Sequence, residues 1–200
     1  MQVAILKYNA GNIRSVVNAL RRIGCEPLIT DSAEQLQTAD RVVIPGQGAA
    51  GATMKYLREH SLDKIVTNLR QPVLGICIGQ QLMCSHSEED DTDCLGIFNT
   101  VVRKFHPTCI ADKVPAMGWN GIHDLKTPLF NGIKEDDFVY FVHSYYVPVC
   151  DFTIATSNYT LPFSAALHHG NFYATQFHPE KSGSVGERIM ENFLNLPTNI

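Results

Sequence analysis

No stretch of the sequence approaches the ~20 consecutive apolar residues that a membrane-spanning helix requires, which excludes a helical membrane anchor. Basic charge is also scarce. The formal net charge is −4, leaving no electrostatic footprint for nucleic acid. The six cysteines (Cys25, Cys77, Cys84, Cys94, Cys109 and Cys150) include no Cys-x-x-Cys pair. The chain opens Met1-Gln2-Val3-Ala4-Ile5-Leu6-Lys7, with no charged leader or cleavage site. We therefore read reduced thiols in a cytoplasmic protein without a secretion signal. His60, His86, His106, His123, His168 and His169 lack metal-ligand spacing, and neither a metal nor an organic cofactor is expected. Repeats and low-complexity tracts are missing, and Trp119 is the only tryptophan.

What is present is ordinary for a globular chain: 44% hydrophobic and 18% charged residues over 200 positions, which suits one domain spanning 1–200. The first half alternates strand and helix. Val3 to Leu6, Glu26 to Ile29, Arg41 to Ile44 and Pro72 to Cys77 read as short apolar strands. Ile13, Val16, Val17, Leu20 and Ile23 keep a helical period that Gly24 stops, and helices are expected around 54–57 and 62–69. Such alternation predicts an α/β fold with a mostly parallel central sheet flanked by helices, its site at the carboxyl ends of the strands. The second half reads as an antiparallel extension, with strands near 97–104, 138–147, 152–157, 165–168 and 172–177. Asn120-Gly121, Asn131-Gly132 and Gly170-Asn171 supply turn signals, and 186–196 a closing helix. Ser85 to Asp93, around Glu88-Glu89-Asp90-Asp91, reads as a solvated acidic loop, and Gln80 to Cys84 as a helix.

Gly75-Ile76-Cys77-Ile78-Gly79 follows the apolar Pro72-Val73-Leu74 and has the form of a nucleophile elbow. The turn is tight, so its flanking residues are small, and the following helix directs its first N–H groups and its dipole toward the sulfur, favouring the thiolate. A buried cysteine in a Gly-flanked turn fits the same five residues. Downstream, Gln176-Phe177-His178-Pro179-Glu180-Lys181 follows an apparent strand. A cysteine nucleophile needs a base, and the base needs a partner that fixes its tautomer. In an extended chain His178 and Glu180 fall on one side, with Pro179 holding the backbone extended. Alone, the tripeptide fits a surface loop as well. Together with the cysteine elbow it makes a Cys–His–Glu triad candidate.

These two motifs resemble those of the class I (triad) glutamine amidotransferases. The resemblance runs essentially end to end, through Tyr8-Asn9-Ala10-Gly11-Asn12-Ile13-Arg14-Ser15-Val16, Pro45-Gly46-Gln47-Gly48, Gly75-Ile76-Cys77-Ile78-Gly79-Gln80-Gln81-Leu82, Pro115-Ala116-Met117-Gly118-Trp119-Asn120, Phe141-Val142-His143-Ser144-Tyr145-Tyr146 and Gln176-Phe177-His178-Pro179-Glu180-Lys181-Ser182. The Met-Gly-Trp-Asn and His-Ser-Tyr-Tyr segments, with the early Gly-Asn-x-x-Ser, resemble the glutaminase-subunit family of imidazole glycerol phosphate synthase, from histidine biosynthesis.

The resemblance implies hydrolysis of L-glutamine to glutamate and ammonia, with Cys77 as nucleophile, His178 as base and Glu180 orienting it. It assigns the oxyanion donors to the Ile78 N–H and the Gln47-Gly48 loop, and the substrate cage to Gly46, Gln81, His143, Ser144 and Tyr145. Asn12, Gly118, Trp119 and Asn120 match segments that face a cyclase subunit, a (β/α)₈ barrel with which the chain would form a heterodimer. Ammonia delivered there yields imidazole glycerol phosphate and AICAR. Gln47 stands where relatives usually carry a small aliphatic residue, and Ala116 where they often carry histidine. Three other readings compete: a triad glutaminase of anthranilate, pyridoxal phosphate or purine synthesis, a cysteine hydrolase on a flavodoxin-like sheet, and a non-catalytic regulator. The Met-Gly-Trp-Asn and His-Ser-Tyr-Tyr segments argue against the first. Gln81, which a plain hydrolase would not need, argues against the second, and the complete triad argues against the third.

Overall fold

Every residue of strand β1 (Val3–Leu6) is buried, as expected of a strand covered on both faces. Strands β3 (Arg41–Ile44) and β4 (Val73–Ile76) share that pattern, and with β2 (Leu28–Thr30) they form the parallel part of the sheet. The computed structural model describes residues 1–8, 13–107 and 112–197. The expected interface residue Asn12 lies outside them.

Helices α1 (Ile13–Arg22), α2 (Ala33–Thr38), α3 (Ala50–Glu59), α4 (Leu62–Thr67) and α5 (Ile78–Leu82) connect these strands. The second half contributes β5 (Cys84–Ser87), β6 (Thr92–Asp93), β7 (Phe98–Lys104), β8 (Ala116–Gly121), β9 (Phe138–His143), β10 (Tyr145–Tyr146), β11 (Thr153–Tyr159), β12 (Leu161–His169), β13 (Phe172–Thr175) and helix α6 (Gly183–Leu194). The main sheet has seven strands in the order β11-β12-β13-β4-β3-β1-β2. Its β13 runs parallel to β4, whereas β11 and β12 are antiparallel, so the expected mixed α/β architecture holds. A four-stranded sheet, β10-β7-β5-β6, and the pair β8-β9 flank it. Among the described residues no helix is long and apolar enough to cross a membrane.

Period-two alternation divides the core between the two faces. Val3 and Ile5 point to the side covered by α1 and α6, through Val16, Leu20, Ile189, Met190 and Phe193. Ala4 and Leu6 point to the other, covered by Leu36, Met54, Leu57, Val66 and Leu82. Buried Arg41 ties the layers together by donating to the Phe193 and Leu196 carbonyls at and just beyond the end of α6.

The structure departs from several expectations. Helix α2 has one buried apolar residue, Leu36, too little for a periodic signal. It is announced instead by Ser32, whose side chain accepts from the Gln35 N–H. Asn120-Gly121 is no turn but the end of β8, which pairs antiparallel with β9. The Asn120 amide satisfies an edge position by donating to the Asn158 carbonyl at 2.7 Å. The helix expected over 80–84 is α5, which starts and ends earlier, and Cys84 opens β5. Ser85 to Asp93 is not a solvated loop throughout. It forms β5, a 3₁₀ turn and β6, with Ser87 and Thr92 buried, and hydrogen bonds rather than apolar alternation hold it in the small sheet.

Helix α6 starts at Gly183, and its second turn rests on the Pro179 turn below. A Cβ built on Gly186 would stand 1.9 Å from the Pro179 carbonyl oxygen. Gly186→Ala should therefore destabilise the chain by ~1–3 kcal/mol through overpacking. The urea unfolding midpoint checks it; a wild-type midpoint would mean that helix and turn can separate freely.

Candidate active site

Three neighbouring parallel strands, β3, β4 and β13, end level with one another. Ile44 pairs with Gly75, and Thr175 with Ile76. The chains leaving these ends carry Gly46, Cys77 and His178 to one place. Cys77 has φ 51° and ψ −105°, a strained conformation for a non-glycine residue and the expected signature of the elbow. Its N–H donates to the Thr175 carbonyl at 2.7 Å, which pins the strained residue to β13. The small flanking residues are required: a Cβ on Gly79 would stand 2.7 Å from the Ile44 oxygen, and one on Gly75 would stand 2.8 Å from the Gly79 backbone. A Cβ on Gly46 would meet the Cys77 Cβ at 3.0 Å and the His178 Cε1 at 3.1 Å. Only a glycine backbone fits beside the Cys77 and His178 side chains.

His178 Nδ1 lies 2.8 Å from Glu180 Oε1, and both side chains are almost fully buried. The pairing does not arise as the extended-chain argument expects. Only His178 is extended; Pro179–Lys181 is a 3₁₀ turn that folds Glu180 back under the ring, and the Ser182 hydroxyl donates to the His178 carbonyl. Burial opposes the imidazolium, but the Cys77 sulfur and the Glu180 carboxylate outweigh it and push His178 up to about 10. His178 Nε2 faces Cys77 without a hydrogen-bond partner of its own. The Glu180 contact fixes Nδ1 as a donor and leaves Nε2 facing the cleft.

Helix α5 has five residues, so its macrodipole adds little to thiolate stabilisation; what it contributes is the free N–H of its first residue, Ile78. Burial raises Cys84 well above the ordinary range and pushes Cys94 up to about 12, as suits packing residues.

A cleft of about 390 Å³ opens over Cys77, lined by the Gly46-Gln47-Gly48 loop, Ile78, Gln81, His143, Ser144, Tyr145 and His178. The expected cage residues thus converge. Gln81 is itself tied down, donating to the Tyr145 carbonyl at 3.3 Å and to Gln176 Oε1 at 3.0 Å. Gln176 in turn donates to the Cys77 sulfur at 3.6 Å. Burial among Phe105, Phe141 and Phe163 pushes His143 down to about 4, so its ring is neutral, with Nδ1–H on the Tyr145 carbonyl at 2.7 Å.

The sequence reading missed Gln176 as a support and Glu89 and Lys181 as cleft residues. Glu89 stood inside an acidic run that composition alone marks as solvated, and its Oε2 in fact accepts the Ala50 N–H at 2.7 Å. Gly118, Trp119 and Asn120 lie apart from the catalytic cleft. They line a second cavity of about 330 Å³ that shares His143 with the first. Trp119 is 55% exposed, on the surface rather than in the core.

The His178 environment predicts its titration. Because its value exceeds the ordinary 6.5, the stability it contributes is complete below that pH and is lost as pH rises toward about 10. The His178 Cε1–H chemical shift should show a charged ring through neutral pH in wild type. It should show a lower titration in Glu180→Gln and in Cys77→Ala. An ordinary titration in wild type would contradict the charge pairing.

Residues 4–196 match the family "Glutamine amidotransferase class-I". The chain is 61% identical over 196 residues to the imidazole glycerol phosphate synthase subunit HisH of Bacteroides thetaiotaomicron, covering 98% of this chain and 100% of the relative. It is 42% identical over 197 residues to the HisH subunit of Idiomarina loihiensis, covering 98% of each. A crystal structure of a glutamine amidotransferase shares the fold with a TM-score of 0.74 at 18% identity, covering 96% of this chain and 97% of that one. The chain belongs to the class I glutamine amidotransferase family and, within it, to the HisH subunits of imidazole glycerol phosphate synthase.

Proposed function

We propose that this chain is the cytoplasmic glutaminase subunit of imidazole glycerol phosphate synthase and that Cys77, His178 and Glu180 carry its chemistry. The observation that supports this most is the meeting of the Cys77 elbow and the His178–Glu180 pair at the level ends of β4 and β13. Cys77 Sγ attacks the side-chain carboxamide carbon of glutamine. The C–N bond breaks, a C–S thioester bond forms, and His178 Nε2 gives its proton to the departing nitrogen, releasing ammonia. Water then attacks the thioester, leaving its proton on His178 while the sulfur departs as thiolate and glutamate is freed.

The oxyanion formed in each step is met by the Ile78 N–H and by a second donor from the Gly46-Gln47-Gly48 loop. Beside this loop the Tyr8 hydroxyl donates to the Pro45 carbonyl. The second donor forms when the Gln47 peptide turns toward the cleft, which Gly48, at φ 125°, permits. Withholding one such donor lowers turnover by ~10²–10³-fold, a sufficient brake on wasteful hydrolysis. Glu89 is the one carboxylate lining the cleft among the described residues, and it suits the α-ammonium of glutamine. The ammonia passes to a (β/α)₈ cyclase subunit that docks on the face presenting Trp119, Met117 and Gly118 and forms imidazole glycerol phosphate and AICAR. Exposure of Met117 and Trp119, at 67% and 55%, supports that face as the interface.

Cys77→Ala should abolish glutamine-dependent product formation in the reconstituted complex while leaving ammonium-dependent formation near wild type. The wild-type chain alone should form glutamate slowly, and much faster once the cyclase and its ligand bind. Glutamine turnover by Cys77→Ala would overturn the nucleophile assignment; full activity of the isolated chain would overturn the loop brake.

A further inference from the structure

The segment that delivers Glu89 to the cleft is held in an unusual conformation. Asp90 and Asp91 both sit at positive φ, 56° and 47°, a region that L side chains rarely adopt. Two such residues in succession, inside a run that also carries Glu88, Glu89 and Asp93, would relax or repel unless the surroundings hold them.

Contacts on three sides do so. The start of α3 receives the loop directly: Ala50 N–H donates to Glu89 Oε2 at 2.7 Å, and at the next residue a Cβ on Gly51 would stand 2.9 Å from Asp90 Oδ2 and 3.0 Å from Asp90 Cβ. Within the loop the Glu89 N–H donates to Ser87 Oγ at 3.1 Å, and Thr92 Oγ1 donates to the Glu89 carbonyl at 2.9 Å. At its outer side His86 spans two aspartates, with Nδ1 3.1 Å from Asp93 Oδ1 and Nε2 3.2 Å from Asp91 Oδ1. Arg58 donates to the Asp93 backbone carbonyl, and Arg103 pairs with Glu88.

We propose that Gly51 and His86 are positioning residues for substrate recognition: Gly51 gives the strained Asp90-Asp91 turn its seat on α3, His86 clamps it, and together they fix Glu89 in the cleft. The inference rests on the reading of Glu89 as the partner of the substrate's α-ammonium. It concerns glutamine binding and not the reacting atoms, because Cys77 and His178 are held by β4, β13 and the Pro179 turn.

The test compares glutamine with glutaramate, the same amide without the α-amino group. Ammonia release is measured in the complex with the cyclase and its ligand for wild type, Glu89→Gln, Gly51→Ala, His86→Leu, and the latter two each combined with Glu89→Gln. Gly51→Ala and His86→Leu should raise KM for glutamine by up to about tenfold, the scale of one weakened charge-assisted hydrogen bond, with kcat near wild type and glutaramate turnover unchanged. In the Glu89→Gln background they should add nothing further. The positioning role is overturned if Glu89→Gln loses its preference for glutamine while Gly51→Ala and His86→Leu keep it. It is equally overturned if those variants weaken glutaramate as much as glutamine. If Glu89→Gln itself keeps the wild-type preference, the assignment of Glu89 fails and the inference with it.

Discussion

The site depends on the register between β4 and β13. Thr175 stands opposite Ile76, and the Cys77 N–H closes onto the Thr175 carbonyl at 2.7 Å. Slipping that pairing by one residue would turn alternate side chains to the opposite face, burying Cys77 away from His178. Because both strands are buried at every position, a slip would also drive their apolar side chains out of register with the helices on both faces, so the core enforces the alignment that the chemistry needs.

Around that alignment the protein arranges backbone where side chains would obstruct. Gly46 packs directly on Cys77, Gly75 on Gly79 and Gly79 on Ile44, and none could carry a Cβ without displacing its neighbour. The strain of Cys77 at positive φ is sustained by this packing, as is the burial of a charged histidine–carboxylate pair that would be costly if either member were removed. Gly186 continues the theme at second hand by letting α6 press on the turn that folds Glu180 beneath His178.

Much of this was legible in the sequence, for definite reasons. The parallel half is written in apolar runs separated by helical periods, which a fully covered sheet demands, and Cys77 and His178 sit in motifs that are ambiguous singly and point to a triad together. What escaped was held by polar contacts at long range. Helix α2 has one apolar anchor, β5 and β6 have almost none, and β8 ends in an Asn-Gly pair that reads locally as a turn. Glu89 belongs to the same class, for its membership of the cleft depends on Ala50, distant in sequence. The pairing of His178 with Glu180 was foreseen, but by the wrong geometry: a 3₁₀ turn, not an extended strand, makes it.

The central claim is that the geometry at the β4 and β13 ends exists to form and break a thioester on Cys77. Rapid acid quench of the cyclase-bound enzyme turning over glutamine, followed by peptide mass spectrometry, reads this directly. The account predicts a γ-glutamyl adduct on the peptide containing Cys77, accumulating when His178 is replaced by a residue that cannot activate water only if acylation survives, and absent from Cys77→Ala. Wild-type turnover with no adduct on Cys77, or with the adduct on Cys84 or Cys94, would contradict it.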